Sequence, residues 1–122
     1  MRIKVQPLDK LFSEVIRKRA MRLCGGCERC GSQKVAYNKG LQCAHCFTRS
    51  RYSTRWHEDN ALGLCGGCHI YIQQNKEARD ELFISKLGQH RFDKLKLASN
   101  IPQKVDKEAI RIYLKELLRE AQ

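Results

Sequence analysis

The placement of the cysteines constrains this chain more than any other feature. All seven lie between Cys24 and Cys68, where they form four CxxC spacings. Thiols stay reduced in the cytosol, and CxxC spacings there favour a tetrahedral zinc site over disulfide bonds. The odd count also argues against a disulfide framework. We therefore expect structural zinc to supply much of the folding energy in the middle of the chain.

Two arrangements of the zinc ligands remain open from spacing alone. The preferred set joins two CxxC knuckles, Cys27, Cys30, Cys65 and Cys68. It is preferred because Gly31 gives the first knuckle the backbone freedom that a tight turn needs. The alternative is a zinc ribbon built from Cys27, Cys30, Cys43 and Cys46, and a second zinc could use Cys24, Cys43 or Cys46. The pentapeptide Leu-Cys-Gly-Gly-Cys occurs twice, at residues 23–27 and 64–68, which also suggests two knuckles.

The length of 122 residues corresponds to one domain. We expect a single domain over residues 1–122, with a leading helix at 8–23, a zinc-containing core at 24–74 and a helical C-terminal part at 75–122. No apolar run reaches the ~18 residues that cross a bilayer, and the start lacks the apolar core of a signal peptide. These features predict a cytoplasmic protein without a membrane partner.

The charge balance points to a polyanionic partner. The chain carries 24 Lys and Arg against 13 Asp and Glu, so 24 − 13 gives a net charge of +11 at pH 7. Such an excess favours nucleic acid as the partner. It argues against a zinc module that serves only as a protein-interaction adaptor.

Apolar residues recur at helical spacing in three segments. They predict helices over residues 8–23, 69–87 and 106–121. Gly88 is predicted to end the second helix, and Asp106 to cap the third. We interpret the first and last helices as supports of the core, with a homodimer interface as the alternative.

Between the first two helices, a β-hairpin is predicted from Val35 to Phe47. A short β-capable run there is followed by the turn-forming residues 38–40. The hairpin would lie between the two preferred zinc knuckles.

Three residues between Val35 and the start of the second predicted helix carry the main functional signal. His45 lies in the predicted hairpin, Asn60 in the following loop and His69 directly after the last CxxC. The order His, Asn, His between two zinc knuckles resembles the HNH nucleases. Further strings resemble the NinG/Rap family of lambdoid phage recombination endonucleases over about residues 8–90. These strings are residues 8–13, 16–17, 44–45, 48–49, 54–56 and 58–60, followed by Cys65 and Cys68.

The resemblance implies a small α+β fold. Its centre would be a zinc-clipped ββα-metal (HNH, treble-clef-like) core, flanked by N- and C-terminal helices. The implied activity is metal-dependent hydrolysis of phosphodiester bonds in branched, junction or other recombination-intermediate DNA. If the protein is phage-encoded, its place of action is the host cytoplasm.

Residue chemistry and the resemblance together assign roles. A histidine can take a proton from an attacking water, and His45 is our general base. A single Mg²⁺ or Mn²⁺ could act as Lewis acid, and by resemblance His69 is its ligand. Asn60 would, by resemblance, orient His45 or tie the loop to the helix. The candidate phosphate-binding residues are Arg49, Arg51 and Arg55.

The sequence departs from the family pattern where a carboxylate is expected. HNH enzymes commonly place Asp or His directly before the base, where this chain has Ala44, and related phage proteins can carry an acidic residue at the position of Gln42. Cys43 or His57 could substitute, but such ligands suit softer ions than Mg²⁺. The alternative function is therefore a zinc module that binds nucleic acid without cutting it.

Overall fold

The computed structural model describes residues 3–120 of the chain. This part contains a two-stranded antiparallel sheet, six helices and the loops between them. The predicted small α+β class is confirmed. In chain order the elements are α1 (Pro7–Cys24), β1 (Leu41–His45), α2 (Tyr52–Arg55), β2 (Ala61–Cys65), α3 (Gly66–Gln74), α4 (Lys76–Leu87), α5 (Gln89–Ser99) and α6 (Lys107–Glu120). A single 3-10 turn at Glu58–Asn60 precedes β2.

Helix α1 agrees with the predicted leading helix to within one residue at each end. Pro7 occupies its first turn, where the missing N–H costs nothing. The Asp9 carboxylate accepts a hydrogen bond of 2.7 Å from the Gln6 N–H just before the helix. At the other end Gly25 adopts a left-handed φ of 73° and donates to the Met21 carbonyl. Local capping chemistry therefore defines both ends.

The strand pairing differs from the predicted hairpin, which was wrong. Strand β1 pairs with β2, with Leu41 opposite Cys65 and His45 opposite Ala61. The segment before β1 forms only a tight turn, in which Ala36 and Lys39 exchange backbone hydrogen bonds. The first four residues of β2 are all buried, so both faces of this strand are covered by other elements. This burial favours the pairing of β1 with β2, although the two strands are far apart in the sequence.

Gly63 explains how the leading helix reaches the sheet. A Cβ at this position would lie 2.6 Å from the Ala20 side chain of α1, which is closer than real contacts allow. Only glycine permits α1 to cross β2 at this distance. A glycine within a strand weakens the sequence pattern, and this is one reason why β2 was not predicted.

The predicted helix over 69–87 is two helices. Asn75 is extended, with φ −137° and ψ 92°, and its side chain accepts from the Ala78 N–H to cap α4. Gly88 ends α4 with a φ of 84°, as predicted. Helix α5 was not predicted, because Phe92 and Leu95 are its few buried apolar residues.

The last helix begins as predicted. Asp106 accepts a hydrogen bond of 3.0 Å from the Ala109 N–H. The predicted end, Ala121, lies outside the described residues. Leu114 of α6 is fully buried against Phe12 and Ile16 of α1, so the interpretation of both helices as core supports is confirmed. Within residues 3–120, no helix combines the length and apolar character that a bilayer crossing demands.

A buried ion pair joins α1 to α2. Arg55 is 1% exposed and donates from Nε and Nη2 to the Asp9 carboxylate at 3.0 and 2.6 Å. The indole N–H of Trp56 donates to the same carboxylate at 3.0 Å. Burial alone would raise the pKa of Asp9, but hydrogen bonds from Arg55, the Gln6 N–H and Trp56 outweigh it and lower the pKa. The charge on Asp9 is therefore fully paired.

Replacing Asp9 with alanine is expected to reduce the free energy of unfolding by about 3–5 kcal/mol, because Arg55 would remain as a buried charge without a partner. Urea denaturation of the zinc-loaded protein, followed by circular dichroism, measures this. Lys10→Ala changes an exposed neighbour on the same helix and is expected to cost less than about 0.5 kcal/mol. A loss below about 1 kcal/mol for Asp9→Ala would contradict the importance of the pair.

Candidate functional site

Four cysteine side chains form a candidate metal centre. Their Sγ atoms all lie within 4.8 Å of one another, and the residues are Cys27, Cys30, Cys65 and Cys68. The Sγ atoms of Cys30 and Cys65 are 3.8 Å apart. A tetrahedral zinc site with Zn–S bonds of ~2.3 Å has sulfur pairs roughly 3.8 Å apart. The four thiols can therefore hold a metal ion such as zinc, in the preferred two-knuckle arrangement.

Two glycines shape the first knuckle. Gly31 adopts a φ of 74° and donates to the Cys27 carbonyl at 3.0 Å, as its place after the CxxC suggested. A Cβ at Gly26 would lie 2.0 Å from the Ser32 carbonyl oxygen, so no other residue fits there. The chain can thus turn back on itself and bring both thiols to one side.

Glu28, inside the first knuckle, fixes this knuckle to the sheet. Its backbone N–H donates to the Gly63 carbonyl at 2.9 Å, and its carboxylate accepts from the Gly63 N–H at 2.7 Å. The second knuckle starts at Cys65, the last residue of β2, and ends at Cys68 in the first turn of α3. The metal centre therefore joins the end of α1 to both β2 and α3.

The thiols of the cluster shift one another's pKa, and a bound cation would stabilise their ionised forms. Burial raises the pKa of Cys27, but the backbone N–H groups of Cys30, Cys65 and Arg29 outweigh it and lower the pKa to about 7. Burial and the neighbouring thiols raise the pKa of Cys68 to about 12, although Arg29 acts in the opposite direction. Adjacent thiols resist ionising together, and a divalent metal removes this conflict.

The remaining cysteines take no part in this cluster. Cys24 donates its S–H to the carbonyls of Ala20 and Gly26, although its pentapeptide is identical to that of Cys65. Burial raises the pKa of both Cys43 and Cys46 to about 12. The zinc-ribbon alternative is wrong, because these two thiols pack in the apolar core. In the described part of the chain, the four-cysteine cluster is the only group suited to zinc.

A cleft of about 1080 Å³ opens beside the sheet. Strand β1 forms its floor, α1 one wall, and α3 with α4 the other wall. Both His45 and His69 line this cleft, together with Arg49. The structure thus brings three of the predicted site residues to one surface. Further cations in the cleft are Lys10, Arg17, Lys76 and Arg79, and its carboxylates are Asp9 and Glu14.

His45 is the last residue of β1 and is held by a backbone carbonyl. Its Nε2 lies 3.1 Å from the Arg55 carbonyl oxygen. Since a carbonyl can only accept, Nε2 carries the proton of the neutral ring and Nδ1 keeps a lone pair. Burial lowers the pKa of His45 to about 4; the hydrogen bond to the Arg55 carbonyl acts in the opposite direction, and the charge of Arg49 adds to the lowering. The imidazole is therefore neutral at pH 7, and its Nδ1 is a weak base.

His69 is held by two glutamine side chains. Its Nδ1 is 2.7 Å from Oε1 of Gln42, and its Nε2 is 3.3 Å from Nε2 of Gln73. Burial lowers the pKa of His69 as well. Gln42 occupies the position at which the resemblance suggested a carboxylate.

Asn60 is fully buried but makes no hydrogen bond to His45. Its Oδ1 accepts from the Phe47 N–H at 2.8 Å, and its Nδ2 donates to the carbonyls of Phe47 and Thr54 at 3.0 Å. It therefore ties the loop between β1 and α2 to the start of β2. The predicted contact with His45 is replaced by that of the Arg55 carbonyl.

The three predicted phosphate-binding arginines have different environments. The prediction for Arg55 is wrong, because its guanidinium is buried in the ion pair with Asp9. Arg51 donates to the Ser99 carbonyl and the Asn100 side chain and lies outside the cleft. Arg49 alone of the three lines the cleft.

Sequence reasoning missed two cations on the opposite wall. Lys76 and Arg79 belong to α4, and both face the cleft. The positions 69, 73, 76 and 79 follow one another at intervals of four, three and three residues, which is the spacing of one helix face. This spacing was the sequence signal that could have assigned both cations to the same surface as His69. The break at Asn75 was not foreseen, so the face of α4 could not be assigned.

The cleft does not form a ready site for a hard cation. Asp9 is committed to Arg55, and Glu14 forms an ion pair with Lys18 at 3.2 Å. Within residues 3–120, only the four cysteines group closely enough to hold a metal as they stand. Mg²⁺ prefers oxygen ligands, so these side chains do not fit it. The imidazole of His69 fits a transition ion such as Mn²⁺ as a single ligand.

No protein-family model, curated protein or solved structure matches this chain. The likeness to HNH and NinG/Rap nucleases therefore stays a prediction from the residues themselves.

The two identical pentapeptides provide a matched test of the metal centre. Cys65→Ser is expected to abolish stoichiometric zinc binding and lower the melting temperature, because the cluster loses one of its four ligands. Cys24→Ser, the equivalent change in the first pentapeptide, is expected to retain one zinc per chain. Elemental analysis and thermal denaturation measure both. Equal zinc loss in the two variants, or a wild type without zinc, would refute the assignment.

Proposed function

We propose that this protein is a zinc-stabilised DNA endonuclease of the HNH type. The observation that carries the proposal is the state of His45, a neutral imidazole with a free Nδ1 lone pair in the same basic cleft as His69. A positioned histidine base is what phosphodiester hydrolysis requires to activate water.

The order of elements supports the same function. His45 ends β1, Asn60 directly precedes the antiparallel strand β2, and His69 lies in α3 directly after it. This is the order of a ββα-metal motif, and the cysteine cluster joins its strand and helix. This order supports the proposal that His45 is the base and His69 the metal ligand, as the resemblance implies.

The charge of the cleft favours DNA as the substrate. Five cationic side chains line it, Lys10, Arg17, Arg49, Lys76 and Arg79. Two carboxylates also line it: Glu14 pairs with Lys18, and Asp9 pairs with Arg55 and lies 3.9 Å from Arg49. Arg79 pairs with Asp80. Cations on both walls can contact the phosphates of a strand that lies along β1. The preference for branched or recombination-intermediate DNA rests on the resemblance.

In the proposed mechanism, Nδ1 of His45 takes a proton from the water that attacks phosphorus. The P–O bond to the other strand end breaks, and the departing oxygen takes up a proton from solvent. The Arg55 carbonyl keeps the ring oriented and favours the imidazolium that results. Arg49 is placed to stabilise negative charge on the phosphate oxygens. A divalent ion bound through His69 would supply Lewis-acid stabilisation, and Mn²⁺ fits this ligand better than Mg²⁺.

A second candidate function is binding of nucleic acid without cleavage. It is favoured by one observation, namely that both ring nitrogens of His69 face glutamine amides and no carboxylate accompanies them. The zinc centre and the basic cleft serve this function equally well.

His45→Ala is expected to lower the rate of DNA cleavage by about 10²–10⁴-fold, because the general base is lost. The assay compares a synthetic four-way junction with linear duplex, in Mn²⁺ and in Mg²⁺. His90→Ala removes an exposed imidazole of α5, outside the cleft, and should cleave at the wild-type rate.

Binding of the same junction, measured in parallel, separates the two functions. His45→Ala should bind as the wild type does. Equal cleavage by His45→Ala and wild type would contradict the catalytic role. Binding by all three proteins without cleavage in any divalent ion would favour the second function instead.

Lys76→Ala is expected to weaken binding and to reduce the salt slope of log K by about 1, because one phosphate contact is lost. Fluorescence anisotropy with labelled DNA over a range of salt concentrations measures this. Lys104→Ala removes the same charge from an exposed residue outside the cleft. Identical slopes in the two variants would show that the cleft is not the binding surface.

A further inference from the structure

The two strands of the sheet bond to each other through alternate residues. Cys46, which directly follows β1, donates to the Asn60 carbonyl at 2.9 Å, so these two residues form a hydrogen-bonded pair. Along an antiparallel ladder, such pairs alternate with pairs that are not hydrogen-bonded. By this alternation the residues at positions 42 and 44 bond to β2. Cys43 and His45 therefore direct their backbone N–H and C=O groups away from β2, toward the outer edge of β1.

The outer edge of β2 is covered, whereas that of β1 is open. Gly63 of β2, which lies opposite Cys43, bonds to Glu28 through both its N–H and its C=O. Across residues 3–120, by contrast, no hydrogen bond uses the backbone N–H or C=O of Cys43 or His45. An open strand edge is a template for pairing with another extended chain.

The cleft opens onto this edge. Both faces of β1 line it, through Gln42 on one face and Cys43 and His45 on the other, and no described residue of β2 does so. Helix α1 covers one face, where the Phe12 ring lies 5.5 Å from the His45 ring. Helix α3 covers the other face, where His69 bonds to Gln42. The space between the two helices therefore continues the plane of the sheet beyond β1.

We propose that the open edge of β1 is a docking site for an extended acidic peptide segment of a partner protein, which adds a third strand to the sheet. The edge presents both donors and acceptors, since each outward residue offers an N–H and a C=O. A peptide strand matches both kinds of group, and this is the basis of β-strand addition. The phosphate oxygens of a nucleic acid match the N–H groups only, so the edge itself favours a peptide.

The charge of the walls makes an acidic peptide the fitting occupant. The side chains of an added strand would point alternately to the two walls. Lys10 and Arg17 line the wall formed by α1, and Lys76 lines the wall that α3 and α4 form. Carboxylates on either face of the peptide would therefore meet a cation, and complementary charge favours the correct partner. Strand β1 has 5 residues, so a segment of similar length can pair with it.

Such a segment would regulate the cleft. The docking site follows from the hydrogen-bond pattern, whereas its consequence for DNA rests on the proposed function. A third strand beside His45 would cover the floor of the cleft and engage the cations that DNA phosphates need. The peptide would therefore exclude DNA, and the partner would act as an inhibitor.

Amide hydrogen exchange of the zinc-loaded protein, followed by NMR residue by residue, tests the edge. In the free protein the N–H groups of Gln42 and Ala44 should exchange slowly, because they bond to β2. Those of Cys43 and His45 should exchange rapidly. Slow exchange at Cys43 and His45 would show that the edge is already paired and would overturn the proposal.

The probe is the heptapeptide Glu-Val-Asp-Val-Glu-Val-Asp with blocked ends. At saturation it should slow exchange at Cys43 and His45 by roughly 10-fold or more, because both N–H groups enter a ladder. The matched control is the same peptide with alternate backbone nitrogens methylated, which keeps every charge but loses donors. Equal protection by the two peptides, or none by either, would contradict strand addition. Protection by junction DNA without protection by the peptide would assign the edge to phosphates instead.

Fluorescence anisotropy with the labelled peptide tests the charge of the walls. Lys76→Glu should weaken peptide binding several-fold, whereas Lys104→Glu, at an exposed residue outside the cleft, should not. Equal affinities in the two variants would exclude charge complementarity within the cleft.

Displacement of a labelled four-way junction by the peptide, and not by its methylated form, tests the inhibition separately. Protection of the edge without displacement of DNA would overturn the inhibitory role alone. A protein that binds no DNA would refute the proposed function and leave the exchange results as they stand.

Discussion

The buried pair between Asp9 and Arg55 is the interaction on which the rest of this small structure depends. Removing two charges from water is costly, and the cost is offset here because the carboxylate receives hydrogen bonds from Arg55, Trp56 and a backbone N–H. The pair fixes α1 against α2. It also fixes the position of the Arg55 backbone, whose carbonyl oxygen in turn binds His45. A residue that looks like a phosphate contact in the sequence therefore acts from inside the fold, through its main chain.

The opposite end of the cleft is fixed by the cysteine cluster. A chain of 122 residues buries a limited apolar core, and a metal adds folding energy that such a core lacks. The knuckle at Cys27 and the hydrogen bonds of Glu28 join the end of α1 to β2. The wall formed by α1 is thus held at one end by the ion pair and at the other by the thiols. His45 is thus linked to the ion pair through the Arg55 carbonyl, and His69 directly follows Cys68 of the cluster.

The sequence predicts best what depends on nearby residues. The ends of α1, the stop at Gly88 and the turn at Gly31 follow from local backbone chemistry, and the structure has all of them. The pairing of β1 with β2 could not be predicted, since it depends on burial between helices far apart in the chain. The same limit applies to residues of one type. Cys24 and Cys65 occupy the same position in identical pentapeptides, but only Cys65 belongs to the metal cluster. Arg49 and Arg55 lie six residues apart, but Arg49 lines the cleft and Arg55 is buried. Contacts with distant elements determine both differences.

Among the described residues of the cleft no carboxylate is free, and this would couple the binding of a metal ion to the binding of DNA. A divalent ion approaching His69 would meet the cations Lys76, Arg79 and Arg49, and the nearby carboxylates of Asp9, Glu14 and Asp80 already form ion pairs. Repulsion would hold its affinity low until phosphate oxygens arrived, because these supply both negative charge and the oxygen ligands that the side chains lack. By linkage, the ion would then raise the affinity for DNA by the same factor as DNA raises the affinity for the ion. Under the proposed function, the cleft would therefore bind DNA first through its cations and acquire the ion together with the substrate.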